Sequence, residues 1–456
     1  MNKVGIDYPT NPRDTALRNA EEWYQQFLAK QMKKKYKPIK RRNFGQYNMA
    51  VNYLTSVLEE AKAINKVAVF NIDHMVQIKF SGKDALQLLN RVLPAPIDKM
   101  KIGYCKYTLI LTKAGTVIDD VIIMRLDENE FIMVSNAGHD ITDSEKGLVS
   151  DADYIASFKK KDENVNIEDI SNQLVKIDIQ GKYSYKLITK LYGNSVVKNR
   201  YKPNKNMRFF TFNEFDFEGN HYILSRTGYT NRWGWELYVP EVAAEEQFKR
   251  IVKEMFDLGG LVAGLGARDE NRISAGNVGL PLMGNEYDRE HTPINAPLFD
   301  AAIDMDKDNF VGKEALEKEI NKGVNKAMVL FISEGIVVNR GIYKNGKRLG
   351  SVTSSIISPN VPQEKREYLN SKRKNVNRKD GTAAIGLGWL FENPYKQDEK
   401  GNDILKEQGK PIRIRVEFYR EDKNNEPKGK PIIGYISADG VNPATSYKPL
   451  RHIQNL

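Results

Sequence analysis

The chain has 456 residues, of which 40% are hydrophobic and 10% aromatic, so it can form two or three packed domains, and global disorder is excluded. Its 70 Lys and Arg against 59 Asp and Glu give a net charge of +11, which is moderate for this length. The single cysteine, Cys105, excludes a disulfide framework and any site with several cysteines around zinc or an iron–sulfur cluster. The first residues carry no apolar signal segment and no stretch approaches the ~18 uncharged apolar residues of a membrane span, so we expect a cytoplasmic protein.

The N-terminal region predicts an amphipathic helix followed by a basic segment. Asn11 and Pro12 supply a helix cap and a proline at the first helical position, and apolar residues then recur at helical spacing. Residues 33–42 carry a dense run of Lys and Arg, broken by Pro38. Such a run is either a solvated connector or an electrostatic docking patch, and the residue types leave both open.

The middle of the chain mixes strands with helices. Residues 67–80 have the pattern of extended chain, and a helix follows. Three β-type runs then come at residues 107–111, 116–126 and 130–136, separated by turn-forming residues, which predicts an antiparallel meander. Another strand at 174–181 again leads into a helix. The pattern favours α+β units over a doubly wound parallel sheet.

The C-terminal part predicts an all-β domain. Residues 342–349 form a hairpin pattern around the turn dipeptide Asn345-Gly346, and residues 412–418 alternate at the period of a strand. Two hydrophilic stretches, at residues 363–380 and 394–410, are typical of surface insertions.

Two adjacent carboxylates, Asp119 and Asp120, interrupt an apolar strand over residues 117–124. Because side chains alternate along a strand, they should point to opposite faces, one toward solvent or a loop and the other toward the interior. A charge without a partner is costly in the interior. The buried carboxylate is therefore either paired in a salt bridge or located at a bulge, or it is held in a low-dielectric pocket to bind a polar ligand.

Turn residues crowded with aromatics occupy residues 225–238 and include Trp233, Trp235 and Glu236. They are typical either of a wall for a flat heteroaromatic ring, with Glu236 accepting hydrogen bonds from ring N–H groups, or of aromatics in a β-rich core.

A glycine turn at residues 264–266 leads into a helix that carries Arg268 and Asp269 in its first turn. Asp269 suits a helix N-terminus as a cap, but Arg268 does not, so Arg268 is either a functional residue or a salt-bridge partner. The turn lacks the third glycine of a dinucleotide fingerprint, and the five histidines lie tens of residues apart, so we expect neither nucleotide nor metal binding.

These segments, in this order, resemble the aminomethyltransferase family, whose type member is the T-protein of the glycine cleavage system. Residues 69–75 are similar to the family's Phe-Asp-Val-Ser-His-Met segment, and residues 117–124 to its Ile-Asp-Asp-Leu-Ile strand. Residues 226–236 are similar to Arg-Thr-Gly-Tyr-Thr-Gly-Glu, and residues 264–269 match Gly-Leu-Gly-Ala-Arg-Asp. Each piece is weak by itself, but together they stay in register over roughly residues 67–350.

The resemblance implies an α+β fold of three domains arranged as a cloverleaf, with tetrahydrofolate at its centre and a β-barrel as the last domain. We therefore divide the chain into an N-terminal helical extension (1–45), a folate-binding core of two α+β subdomains (46–324), and a C-terminal β-barrel domain (325–456) with insertions at about 363–380 and 394–410.

The catalytic Asp of the family is the second of the pair, so the resemblance implies that Asp120 binds the folate and prepares its N5 atom to accept a one-carbon unit. Glu236 would accept hydrogen bonds from the pterin ring. The other residues expected to contact the pterin and neighbouring groups are Tyr107, Asn136, Tyr229 and Arg268. His74 is either a packed strand histidine or, in an O-demethylase, a proton donor to the leaving group.

The chain departs from the family on the side of the one-carbon donor. Asn231 and Arg232 replace the family's Gly-Glu, Ser274 stands where many members have Glu, and residues 276–279 resemble a short insertion. We therefore expect a folate-dependent one-carbon transferase that runs either the T-protein reaction or the demethylation of a sulfonium, betaine or methoxyaryl substrate. The expected partners are folate, a one-carbon donor and, for the T-protein reaction, an acidic lipoyl carrier protein.

Two further classes fit less well. A non-enzymatic folate-binding scaffold of the iron–sulfur assembly type carries Lys-Gly-Cys-Tyr near residues 310–316, where this chain has no cysteine. Nucleic-acid binding would rest on the basic runs at 33–42 and 363–380, which lie outside the matched motifs.

Overall fold

The computed structural model describes residues 12–140, 142, 148–275, 279–294, 296, 298–323, 326–359, 383–391 and 413–437. The predicted insertions at 363–380 and 394–410 lie outside the described residues. The helices are α1 (Arg18–Gln31), α2 (Val57–Ala63), α3 (Ala85–Val92), α4 (Asp151–Ala156), α5 (Ser184–Tyr192), α6 (Glu241–Asp257), α7 (Leu265–Ile273), α8 (Phe299–Ala302) and α9 (Lys313–Asn321).

The predicted N-terminal helix is present as α1, but it begins at Arg18, so Pro12 is not its first residue, and Asn11 lies outside the described residues. Arg13 instead forms a β-bridge with Tyr47. Tyr47 lies in a hairpin of β1 (Lys40–Phe44) and β2 (Tyr47–Asn52). One face of α1 is buried against α6, and its apolar residues belong to the same core as the first large sheet.

The basic run divides into two parts. Residues 33–38 are exposed, as a solvated connector would be, whereas residues 40–42 lie in β1. Arg41 is mostly buried there and forms an ion pair with Glu21 of α1, with 2.7 Å between Nη1 and Oε2.

A six-stranded sheet forms the first large layer. Its strands, in spatial order, are β12 (Phe212–Phe217), β13 (Asn220–Ser225), β14 (Gly234–Pro240), β9 (Leu174–Gln180), β3 (Ala68–Asn71) and β15 (Leu261–Ala263). One face packs against α1, α5 and α6 through apolar residues such as Ile177 and Leu237. Since side chains alternate, the opposite face carries Lys176, Asp178 and Glu236, which are also buried.

A five-stranded antiparallel sheet forms the second layer. Its strands, in spatial order, are β5 (Cys105–Leu111), β6 (Val117–Asp127), β7 (Glu130–Ser135), β4 (Val76–Ser81) and β8 (Asn166–Asp169). The predicted meander is confirmed as β5-β6-β7. The predicted extended run over 67–80 is two strands, because the turn at residues 72–75 takes the chain from β3 in one sheet to β4 in the other. A small ribbon pairs β10 (Lys198–Asn199) with β11 (Lys202–Asn206).

A closed barrel forms the C-terminal part, as predicted. Its strands, in spatial order, are β16 (Ala327–Ser333), β19 (Ala383–Leu390), β18 (Lys347–Ser358), β17 (Gly341–Lys344), β20 (Arg413–Glu421) and β21 (Pro427–Ser437). Asn345 and Gly346 join β17 to β18 with φ of 51° and 78°, the positive values that a tight hairpin turn requires. Within the described parts of the chain, no helix combines the length and apolar composition needed to span a membrane.

Arg272 fastens the barrel to α7. Its side chain is 1% exposed and forms ion pairs with Asp269 (2.7 Å) and Glu286 (2.9 Å). It also donates a hydrogen bond of 2.8 Å to Ser354 Oγ in β18. The interpretation of Asp269 as a helix cap is therefore wrong, because its carboxylate pairs with Arg272 within α7 and the N-cap residue of that helix is Gly264. The division into domains at residues 45 and 324 stays a prediction.

Candidate active site

The carboxylate pair lies next to a bulge in β6. Ile110 pairs with Asp119 but Leu111 pairs with Val117, so one extra residue is accommodated between them. Asp119 is completely buried, whereas Asp120 keeps partial access to solvent. The member in the interior is therefore Asp119, and the carboxylate that the family resemblance makes catalytic is the more accessible one.

Asn136 holds both carboxylates. Its backbone N–H donates to Asp119 Oδ2 over 2.9 Å, and its side-chain Nδ2 donates to Asp119 Oδ1 over 2.7 Å and to Asp120 Oδ1 over 2.8 Å. Tyr107 donates its hydroxyl hydrogen to the other oxygen of Asp120, Oδ2, over 3.3 Å. Burial raises the pKa of Asp120, while these hydrogen bonds lower it. The meander thus brings Tyr107 and Asn136 into hydrogen-bond contact with Asp120.

The six-stranded sheet contributes a second group of buried charges. Lys176 Nζ lies 3.2 Å from Glu236 Oε1, and Thr227 donates its hydroxyl hydrogen to Glu236 Oε2. Asp178 is paired with Glu236 in the strand register. Burial, reinforced by the charge of Glu236, raises the pKa of Asp178 to about 8.

The loop after β13 is held by Gln180 of β9. Its side chain donates to Thr227 O over 3.1 Å and accepts from Thr230 Oγ1 over 2.8 Å. Gly234 packs so closely on this amide that an added Cβ would lie 2.2 Å from Gln180 Cδ. The loop is thereby fixed in a position that places Tyr229 in the interior of the molecule.

Tyr229 and Arg268 lie together between the two sheets. The Arg268 guanidinium carbon is 5.1 Å from the centre of the Tyr229 ring, and Arg268 Nη2 is 3.9 Å from Met75 Sδ. The helix that carries Arg268 is anchored where it starts, because Gly264 donates its N–H to Glu60 Oε2 over 3.0 Å. Among the described residues Arg268 pairs with no carboxylate, so the salt-bridge alternative is not supported there.

The aromatic segment serves mainly as core. Trp235 is fully buried in the cluster beneath the sheet and faces away from Glu236, so its interpretation as a ligand wall is wrong. Trp233 is covered by the guanidinium of Arg226, whose carbon lies 3.7 Å from the ring centre.

Comparison with known proteins gives concordant results. A family model described as the GCVT N-terminal domain matches residues 33–307, which is more than half of the chain. An aminomethyltransferase from Desulfitobacterium hafniense (strain DSM 10664 / DCB-2) is 31% identical over 324 residues, covering 70% of this chain and 82% of that protein. One from Thermoanaerobacter sp. (strain X514) is 30% identical over 392 residues, covering 83% and 94%.

The chain belongs to the aminomethyltransferase family. It is accordingly a transferase enzyme. The crystal structure of glycine cleavage system aminomethyltransferase T from Bartonella henselae superposes with a TM-score of 0.66 over 93% of this chain and 96% of that one, at 22% identity. The predicted fold class, α+β with a C-terminal barrel, is therefore confirmed. The family match begins at residue 33 and so includes the hairpin β1–β2, upstream of the motifs read from the sequence.

His74 occupies the turn between β3 and β4 and so is not a strand residue. It is 1% exposed, its ring packs edge-on against Phe44 with 5.1 Å between centres, and Nδ1 has no partner among the described residues. Burial, together with the positive charges of Arg268 and Lys176, holds the pKa of His74 well below its usual range. The imidazole is therefore neutral near pH 7, which disfavours the role of an acid for a leaving group.

Sequence reasoning missed Lys176 and Asp178 in this aminomethyltransferase-family site. The alternation of polar and apolar residues along β9 was a usable signal, but the same alternation marks a strand with one solvated face. It also missed His139 and Asp151, which lie behind Asp119. His139 follows β7, the strand paired with β6, and a backbone hydrogen bond from Asp151 to His139 brings α4 to the same place.

Proposed function

We propose that the chain is a tetrahydrofolate-dependent one-carbon transferase of the glycine cleavage T-protein type, which transfers a methylene or methyl unit to N5 of tetrahydrofolate. The observation that carries the proposal is Asp120, a half-buried carboxylate whose two oxygens are oriented by Asn136 and Tyr107. Family membership and the three-part fold support the same assignment.

The residues present fit a pterin-type ligand. A pterin ring offers N–H donors and carbonyl acceptors, and the site supplies carboxylates from one sheet and an unpartnered buried Nε of Arg268 from α7. Asp120, Tyr229 and Arg268 would hold the ligand, whereas Glu236 would have to share its oxygens with Lys176 and Thr227. Tetrahydrofolate, when bound, supplies the secondary amine N5 that accepts the one-carbon unit.

In this proposal Asp120 orients the accepting amine and takes up a proton or a hydrogen bond from it. Its raised pKa makes it able to take a proton or a strong hydrogen bond from a neighbouring amine, an effect worth about 10²- to 10⁴-fold in rate. Tyr107 and Asn136 fix the direction in which its free lone pairs point.

Among donors we favour an aminomethyl group on a lipoyl carrier protein, with the carrier's acidic surface matching the net charge of +11. The neutral state of His74 supports this choice over a methoxyaryl demethylase, which would need an acid at the leaving oxygen. We further propose a cytoplasmic location, consistent with one buried, unpaired cysteine.

The test is a turnover screen of the full chain with tetrahydrofolate and four donor classes: aminomethyl-lipoyl protein, betaines, sulfonium compounds and methoxyarenes. We expect methylene-tetrahydrofolate to form from the lipoyl donor. Formation of methyl-tetrahydrofolate from a small donor would instead assign the chain a demethylase function. Tetrahydrofolate should also raise the melting temperature. Absence of both turnover and a thermal shift would overturn the proposal.

A further inference from the structure

A buried row of ionisable groups lies directly behind the candidate active site. His139 Nδ1 is 3.2 Å from Asp151 Oδ1, and His139 Nε2 is 3.8 Å from Asp119 Oδ1. Both carboxylate side chains are 0% exposed and the imidazole is 14% exposed. The imidazole therefore stands between the two carboxylates, with one nitrogen facing each, which is the geometry of an ion-paired row.

The row is built from three segments that the fold ties together. Asp119 lies on β6, His139 lies in the turn after β7, and Asp151 begins α4. The backbone N–H of Asp151 donates to His139 O over 2.9 Å, so the helix start and the turn are fixed to each other.

A positive charge at His139 lowers the cost of burying the two carboxylates. Two fully buried carboxylates are costly unless a positive charge compensates them. Arg289 also acts on the imidazole, but it is exposed and carries the same sign. Asp119 and Asp151 outweigh burial and raise the pKa of His139 to about 9, so the imidazole is charged near neutral pH.

The row continues into the active site through Asn136. Asp119 accepts hydrogen bonds from both the backbone and the side-chain N–H of Asn136, which settles the orientation of the amide: its nitrogen, not its oxygen, faces the carboxylates. The same nitrogen donates to Asp120 Oδ1. The position of Asp120 thus depends on Asn136, and the position of Asn136 depends on Asp119. Burial raises the pKa of Asp119 well above its usual range, and the charge of His139 is the largest effect that opposes this rise.

We propose that His139, held by Asp151, is a positioning residue that pairs with Asp119 and thereby orients Asn136 and Asp120 for one-carbon transfer. This rests on the proposed function. The groups that face the imidazole are Asp119 and Asp120 from β6, Asp151 from α4 and Arg289.

The pH dependence has a definite sign. The pKa of His139 is higher in the folded chain than the value of ~6.5 for a free histidine. Its stabilising contribution is therefore complete below about pH 6.5 and is lost as the pH rises through about 9. Turnover should fall on the same alkaline limb.

The experiment compares His139→Gln with the matched control His221→Gln, whose imidazole is exposed and pairs with Asp216 at the far end of the six-stranded sheet. We expect kcat of His139→Gln to fall by on the order of 10-fold to 10²-fold, with KM for tetrahydrofolate and the thermal shift changed less than twofold. The alkaline limb of the wild-type profile should disappear in this variant. An unchanged kcat and pH profile in folded His139→Gln would overturn the proposal.

Two NMR titrations remain decisive if His139→Gln folds poorly or if no donor is turned over. In the wild-type chain the Cε1–H of His139 should titrate near pH 9, and Asp151→Asn should lower that midpoint. In both chains the Asn136 side-chain amide resonances should shift with the same midpoint as the imidazole, because Asn136 donates to Asp119. A midpoint for His139 near 6.5 in the wild-type chain, or Asn136 resonances that do not follow the imidazole, would refute the proposed arrangement. Absent turnover with positive titrations would instead refute the proposed function alone.

Discussion

The two sheets that meet at the site hold their buried charges in different ways. On the six-stranded sheet, Lys176 and Glu236 form a direct ion pair 3.2 Å apart, so that side largely neutralises itself. At the five-stranded sheet, the imidazole of His139 lies between Asp119 and Asp151, and Asn136 connects Asp119 to Asp120. Asp120, the candidate reactive carboxylate, therefore belongs to the five-stranded sheet, where negative charge is in excess. The six-stranded sheet, whose charges are paired, is suited to shaping and supporting the site.

The largest loss of turnover is expected from removing the charge of Asp120 on the five-stranded sheet. Asp120→Asn keeps the shape of the side chain but cannot take up a proton, so we expect turnover to fall by about 10²- to 10⁴-fold. The melting temperature and its rise with tetrahydrofolate should change little. Asp216→Asn, an exposed carboxylate on β12, is the matched control and should keep full activity. Full activity of Asp120→Asn would remove this carboxylate from the mechanism.

Breaking the ion pair of the six-stranded sheet should lower the free energy of unfolding more than it lowers turnover. Lys176→Met leaves Glu236 as a buried anion without its partner, which should lower the free energy of unfolding by about 3–5 kcal/mol in urea titrations. The double variant Lys176→Met/Glu236→Gln should recover most of that loss. Lys249→Met, from an exposed pair with Glu245, should change stability by less than about 1 kcal/mol. Equal losses in Lys176→Met and Lys249→Met would contradict the paired arrangement on the six-stranded sheet.

Weakening one hydrogen bond on the five-stranded sheet should have a smaller effect. Tyr107→Phe removes the donor 3.3 Å from Asp120 Oδ2, and a contact of about 1 kcal/mol corresponds to roughly a fivefold fall in kcat. Because this hydrogen bond lowers the pKa of Asp120, the acid limb of the pH–rate profile should move to higher pH. A profile that does not move would show that the hydroxyl does not act on Asp120.

The smallest change is expected at Asp178. Its pKa of about 8 means that the folded chain keeps a proton that the unfolded chain releases above about pH 3.9, so stability falls as the pH rises between these values. Asp178→Asn mimics the protonated form, and it should leave stability near pH 4 nearly unchanged while flattening the decline between pH 4 and pH 8. Chemical denaturation at several pH values measures this. An equally steep decline in the variant would mean that Asp178 is ionised in the folded protein.

Local signals predicted the elements whose partners are close in sequence. The turn residues between β5, β6 and β7 predicted the meander, and Asn345-Gly346 predicted the hairpin of the barrel. The positions of Tyr107, Asp120 and Asn136 followed from the family resemblance, since three neighbouring strands carry them. Whether these residues act in catalysis stays a prediction.

Sequence patterns did not predict the surroundings of side chains that contact segments distant in the sequence. Lys176 looks in the sequence like a residue on a solvated strand face, but it is buried beside Met75, Glu236 and Tyr238. Trp235 looked like part of a ligand wall because burial on the opposite face of β14 cannot be read from a short aromatic run. His139 carried no local signal at all, because its two carboxylates come from other segments.

The turn at residues 72–75 gives the molecule a mechanical property. It is a short covalent link between the two sheets of the site, and residues 170–173, which join β8 to β9, are a second one. Asp73 stabilises the turn, since its N–H donates to Asn71 Oδ1 over 3.0 Å and its Oδ2 accepts the N–H of Ala16 over 2.8 Å. Because β3 pairs with β9 and β4 pairs with β8, the two links lie at adjacent strand pairs and couple the position of one sheet to that of the other.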